Sequence, residues 1–227
     1  MKLFLTTFLA IAALLAGVAT ADDGFVKIFD GKTLDGWKGN DKFWSVKDGA
    51  ITGQTTAENP TQGNTFLIWQ GGEVGDFELR LKFRIESGNS GIQYRSVDKG
   101  NHVVNGYQAD IDSGLTYMGI LYEEGGRGIL ALRGKKVEVT DSGEKKELGA
   151  TVPEKEILDS IKKGDWNEYV VIAKGNQIIQ KINGHTTVEL TDNQTDKAKA
   201  SGILALQLHA GPPMFVQFKD IELKKLK

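Results

Sequence analysis

Between Phe77 and Glu86 the chain reads FELRLKFRIE, and apolar and charged residues alternate without a break. Phe77, Leu79, Leu81, Phe83 and Ile85 fall on one side of an extended chain. Glu78, Arg80, Lys82, Arg84 and Glu86 fall on the other, so the segment is a strand with one buried face and one wet one. The same period returns in IQYRS, YQADID, YMGILY, GILALRG, EYVVIAKGNQIIQKING and GILALQLH, with turn residues between the runs. Gly175-Asn176 predicts a hairpin turn, and the 28 glycines supply further tight turns. Only PEKEILDSIKK departs from the pattern. Pro153 there precedes Ile157, Leu158 and Ile161 at helical spacing, which predicts one short surface helix. There is no βα alternation and no low-complexity linker. Residues 22–227 are therefore expected to form a single all-β domain, a sandwich or barrel. The two-faced strands favour a sandwich in which one curved sheet carries polar groups on its open face.

The first residues are read as a processing signal outside that domain. Lys2 precedes an apolar run from Leu3 to Leu15, and Ala19-Thr20-Ala21 supplies a small-residue cleavage pattern. The run is short for a membrane span and no stop-transfer pattern follows. The expectation is a signal peptide over 1–21, export to the periplasm or the extracellular space, and no membrane attachment after cleavage. The chain has no cysteine, which removes disulfides, thiolate metal sites and a cysteine nucleophile. A formal charge of −2 argues against a general nucleic-acid binder.

Candidate chemistry lies on polar residues whose strand neighbours are apolar. Gln93 and Arg95 share one side of IQYRS, and Gln108, Asp110 and Asp112 share one side of YQADID. In ALQLHAGPP, Gln207 and His209 oppose Leu206 and Leu208, and Gly211-Pro212-Pro213 closes the strand end. A merely solvated face more typically carries Lys, Glu and Thr. Amides both donate and accept hydrogen bonds, which suits recognition of sugar hydroxyls. The stretch YEEGGRG places Tyr122, Glu123, Glu124 and Arg127 at one rim, and Trp69 beside a glycine-rich loop can stack on a sugar ring. Against these stand plainer readings: ordinary surface for the amides, a packed edge for Trp69, a solvated loop for Arg127. The 3 histidines are dispersed in sequence, so no zinc site is read from spacing. Asp110 and Asp112 are of a type that holds calcium, but their spacing does not call for it.

Five stretches in order, FDGKTLDGW, FWSVKDGAITG, GNSGIQYRS, GYQADID and GILALQLHAGPPMFVQFKDIEL, resemble the 3-keto-disaccharide hydrolase family over essentially the whole of 24–226. The resemblance implies a jelly-roll β-sandwich of the concanavalin A-like lectin/glucanase type. It implies as substrate a disaccharide or glycoside with one ring oxidised to a ketone at C3. Such a ketone acidifies the C2 hydrogen, so a base can form an enolate that expels the group at C1 before water adds. Jelly-roll glucanases of similar fold carry E-x-D-x-x-E, whereas this chain has Gln108 and Ser113 at the glutamate places and keeps only Asp110. An amide cannot be the nucleophile of a retaining glycosidase. The expectation is elimination, with His209 or Asp110 as base and Arg95 stabilising the enolate oxygen. Gln93, Gln108, Gln207, Tyr122, Arg127 and Trp69 would bind substrate, and no cofactor would be required. A non-catalytic sugar-binding protein and an interaction module on the same fold are the competing expectations.

Overall fold

The computed structural model describes residues 23–227, so the expected signal peptide lies outside the described residues. Strands β1 (Val26–Lys27), β2 (Trp37–Lys38), β3 (Trp44–Lys47) and β4 (Ala50–Gln54) come first. They lead to β5 (Thr65–Trp69), β6 (Phe77–Ser87), β7 (Asn89–Gly100) and β8 (Val103–Asp112). Next are β9 (Leu121–Glu124), β10 (Gly128–Ala131), β11 (Lys135–Val139) and β12 (Lys145–Ala150). After the helix α1 (Glu154–Ser160) come β13 (Asn167–Lys174), β14 (Gln177–Ile182) and β15 (His185–Asp192), then β16 (Ile203–Leu208) and β17 (Phe215–Lys225).

Two sheets result. The 10-stranded sheet runs β12-β11-β15-β14-β13-β6-β17-β4-β3, with β1 on β17, and the 7-stranded sheet runs β10-β9-β8-β7-β16-β5-β2. All pairings are antiparallel except β11 with β15. This is the expected all-β sandwich of jelly-roll type, with one short helix where PEKEILDSIKK predicts it. The hairpin at Gly175-Asn176 joins β13 to β14.

The alternation seen in sequence decides what fills the space between the sheets. Phe77, Leu79, Leu81, Phe83 and Ile85 of β6 are buried there, against Ile92, Tyr94, Tyr107, Ala109 and Ile111. Leu204, Leu206 and Leu208 of β16 join the same core. Each large side chain so removed from water contributes about 2 kcal/mol. The partners of those leucines, Ala205 and Gln207, are thereby turned to the open face of the 7-stranded sheet.

That sheet is strongly curled. The β7–β8 hairpin folds back so that His102 C=O accepts the Phe66 N–H of β5 at 2.9 Å, although β7 and β16 lie between β8 and β5 in the sheet. Phe66, Ile68, Val104 and Ala205 form a second apolar cluster at this end, with Ile203 beside it. The open face is thus sealed by apolar packing at one end and polar at the other.

Candidate active site

The polar end is a pocket of about 380 Å³ lined by Asn64, Asn89, Gln108, Asp110, Tyr117, Ile120, Tyr122, Glu124, Ile129 and His209. Its floor follows from strand register. Ile129, Tyr122, Gln108, Gln93, Ala205 and Ile68 form one row across β10, β9, β8, β7, β16 and β5. Asp110 sits one step further along β8, opposite Gly91. A hollow of about 440 Å³ near Asp30, Asp35 and Asp220 is larger. Its carboxylates are exposed, however, and the convergence of buried polar groups places the candidate site in the curled sheet.

A chain of amides organises the floor. Ser96 Oγ donates to Gln93 Oε1 at 2.7 Å, and Gln93 Nε2 donates to Gln108 Oε1 at 2.7 Å. Gln108 Nε2 is thereby directed at Asp110 Oδ1, with a longer contact of 3.4 Å to Gln207 Oε1. Gln207 Nε2 in turn donates to Glu124 Oε2 at 3.1 Å. Asn64 Nδ2 donates to Glu124 Oε1 at 3.2 Å, while Asn64 Oδ1 accepts the Ala210 N–H at 3.0 Å. The curl brings Glu124 of β9 to Gln207 of β16 across two intervening strands.

Two carboxyl groups therefore share the pocket in unlike surroundings. Asp110 is only 5% exposed, and among the described residues the one donor to its side chain is Gln108. Burial pushes its pKa up to about 8, with the Gln108 hydrogen bond opposing and the charges of Glu124 and Asp112 adding to the rise. Glu124, by contrast, accepts an amide hydrogen at each oxygen. Asp112 is occupied otherwise: its carboxylate accepts the backbone N–H groups of Gly114 and Tyr117 and shapes the loop that carries Tyr117.

The sequence-predicted residues divide into three groups. Gln108, Asp110, Tyr122 and His209 line the pocket. His209 stands exposed at the rim with Nδ1 against the C=O of its neighbour Ala210. Gln93 and Gln207 lie on the expected face but are fully buried, and they orient Gln108 and Glu124 from beneath.

Arg95, Arg127 and Trp69 are corrections. A β-bulge between Tyr94 and Val97 breaks the period of two, and Arg95 takes φ 45° there. Its guanidinium turns out of the groove to Gly75 C=O, Gly175 C=O, Lys199 C=O and the Asp76 carboxylate. Arg127 is held by Glu123 at 2.6 Å and Asp192 at 2.7 Å, clear of the pocket. Trp69 shares its side of β5 with Leu67, packs on the central core, and lies over Gly71 where no Cβ would fit.

Sequence reasoning passed over Asn64, Asn89, Tyr117, Ile120 and Ile129. Asn89 was within reach, since it has the parity of Gln93 on one strand. Tyr117 and Asn64 stand on irregular segments where alternation gives no signal.

Residues 24–224 match the family described as the 3-keto-alpha-glucoside-1,2-lyase-like domain. A 3-keto-disaccharide hydrolase from Bacteroides thetaiotaomicron is 34% identical over 82 residues, 32% of this chain. That match spans only 27% of the relative's own length. Among solved structures, a putative glycosyl hydrolase from Parabacteroides distasonis is similar at TM-score 0.58 and 21% identity, covering 89% of this chain and 99% of that one. The carbohydrate binding module CBM66 from Bacillus subtilis gives TM-score 0.56 at 13% identity, covering 84% and 96%. At these identities the two structures speak to the fold alone, but the family match runs from β1 to β17, and the chain belongs to the 3-keto-alpha-glucoside-1,2-lyase-like domain family.

Proposed function

We propose that the curled-sheet pocket binds a 3-keto-glycoside and cleaves its glycosidic bond by elimination and hydration. The observation that carries this reading is the buried carboxyl of Asp110, whose surroundings favour its protonated form, set beside the second carboxylate of Glu124 in an amide-lined pocket. A surface that only binds sugars gains nothing from a desolvated carboxyl, whereas proton transfer uses one. The family match and the name of the relative from Bacteroides thetaiotaomicron support the substrate class.

The ketone at C3 supplies the activation, so the reaction draws on no nicotinamide. With Arg95 turned away, the enolate oxygen meets other polar groups instead: the amides of Asn64 and Asn89, the Tyr122 hydroxyl, and His209 at the rim. Ile120, Ile129 and Tyr117 supply the apolar wall against which a sugar's C–H face packs. Export remains part of the proposal, on the strength of the leader pattern in 1–21. Purified protein incubated with 3-keto-glycosides bearing a chromogenic leaving group, beside the unoxidised parents, tests the reading. Release from the keto compounds alone is expected. Binding of keto-glycosides without release would make this a sugar-binding domain.

A further inference from the structure

We infer that Glu124 is the base that removes the C2 proton and that Asp110 is the acid that protonates the departing C1 oxygen. The inference rests on the elimination reading and assigns its two proton transfers. Glu124 Oε1 and Oε2 each accept an amide hydrogen, from Asn64 and from Gln207, and accepting at both oxygens is the behaviour of an ionised carboxylate. Asn64 and Gln207 can hold the group in place while it waits for a substrate proton. Asp110 is the opposite case. It is buried on β8 with one amide donor, and it faces Glu124 and Tyr122 from β9, His209 from the end of β16, Tyr117 from the β8–β9 loop, and Asp112 on its own strand. That surrounding favours the neutral carboxyl, which can donate. Two carboxyl groups whose environments differ in this sense divide into acid and base.

The steps balance. In the first, the C2–H bond breaks, its proton goes to Glu124, and the electron pair forms C1=C2 through the C3 enolate. The C1–O bond then breaks, and Asp110 gives its proton to the leaving oxygen. In the second, water adds its oxygen to C1 and its proton to Asp110, and protonated Glu124 returns a proton to C2. The sum is hydrolysis, and both side chains end as they began. No covalent sugar–enzyme bond forms.

A 3-keto sugar lacking any C1 leaving group, 1,5-anhydro-3-ketoglucitol, isolates the first transfer, because its C2 hydrogen exchanges with deuterated solvent without cleavage. Proton NMR of that exchange, and cleavage of a 3-keto-disaccharide, are measured for the wild type, Glu124→Gln and Asp110→Asn. Glu124→Gln should slow C2 exchange by about a hundredfold or more. Asp110→Asn should slow disaccharide cleavage to a similar degree while affecting exchange at least tenfold less. Its loss should also be smaller on a nitrophenyl leaving group, which departs without a proton. Loss of exchange in Asp110→Asn with retention in Glu124→Gln would overturn the assignment while leaving elimination standing. Absence of both exchange and cleavage in the wild type would overturn elimination itself. Should Glu124→Gln fail to fold, the wild-type pH profile decides: disaccharide cleavage should fall as the pH rises past about 8, where Asp110 gives up its proton, while exchange continues. A parallel fall of both would contradict the division of roles.

Discussion

Gly91 stands between Asn89 and Gln93 on the open face of β7, and a Cβ there would lie 2.4 Å from the Gln108 side chain. Gln108 has no room to yield, because Gln93 fixes its oxygen and Asp110 takes its hydrogen. Gly91→Ala is expected to displace the Gln108 amide and lower kcat/KM by roughly ten- to a hundredfold, read from steady-state kinetics on a chromogenic keto-glycoside. Arg95 gives the reverse expectation. Its side chain is 2% exposed and pairs with Asp76 at 2.9 Å, so Arg95→Ala should cost about 3 kcal/mol in denaturant unfolding. Turnover per folded molecule should be unchanged, since the guanidinium lies outside the pocket. A collapse of turnover with stability intact would return Arg95 to the site.

At the scale of elements, the pocket depends on the curl of the 7-stranded sheet, and the curl depends on the apolar cluster where the β7–β8 hairpin meets β5. Phe66→Ala should cost about 3–5 kcal/mol and also weaken substrate binding, because Glu124 and Gln207 meet only while the sheet is closed. Thermal unfolding and KM together check this. The same elements show what could be read from sequence. The strands, the core leucines of β16 and the grouping of Gln93, Gln108, Asp110, Gln207 and His209 on one face follow from the period of two. Arg95 escaped because one bulge reverses the side it faces, and bulges leave no mark in an alternating pattern. Trp69 had the parity of Leu67, which placed it inside, but the adjacent glycines suggested an open platform. The partnership of Glu124 with Gln207 arises from sheet curvature between strands far apart in the chain, and local periodicity does not encode that distance.

For the whole molecule, the raised pKa of Asp110 links stability to pH. The ordinary value is 3.8 and the native one about 8. Between these limits the native state holds a proton that the unfolded chain releases, so this group's contribution to stability falls as pH rises through the window. Asp110→Asn should therefore gain stability over the wild type steadily from pH 4.5 to pH 8, with little difference at the acid end. Unfolding at several pH values checks the sign, and a gain largest at low pH would contradict it. A variant more stable but slower in disaccharide cleavage is what a desolvated functional carboxyl implies.

The central claim is that this pocket acts on the ketone-bearing form of a glycoside. The direct measurement compares release of a chromogenic leaving group from a 3-keto-glycoside and from its unoxidised parent by the purified protein. Release from the keto compound alone, lost in Glu124→Gln, is the predicted result; equal release from the parent would contradict it.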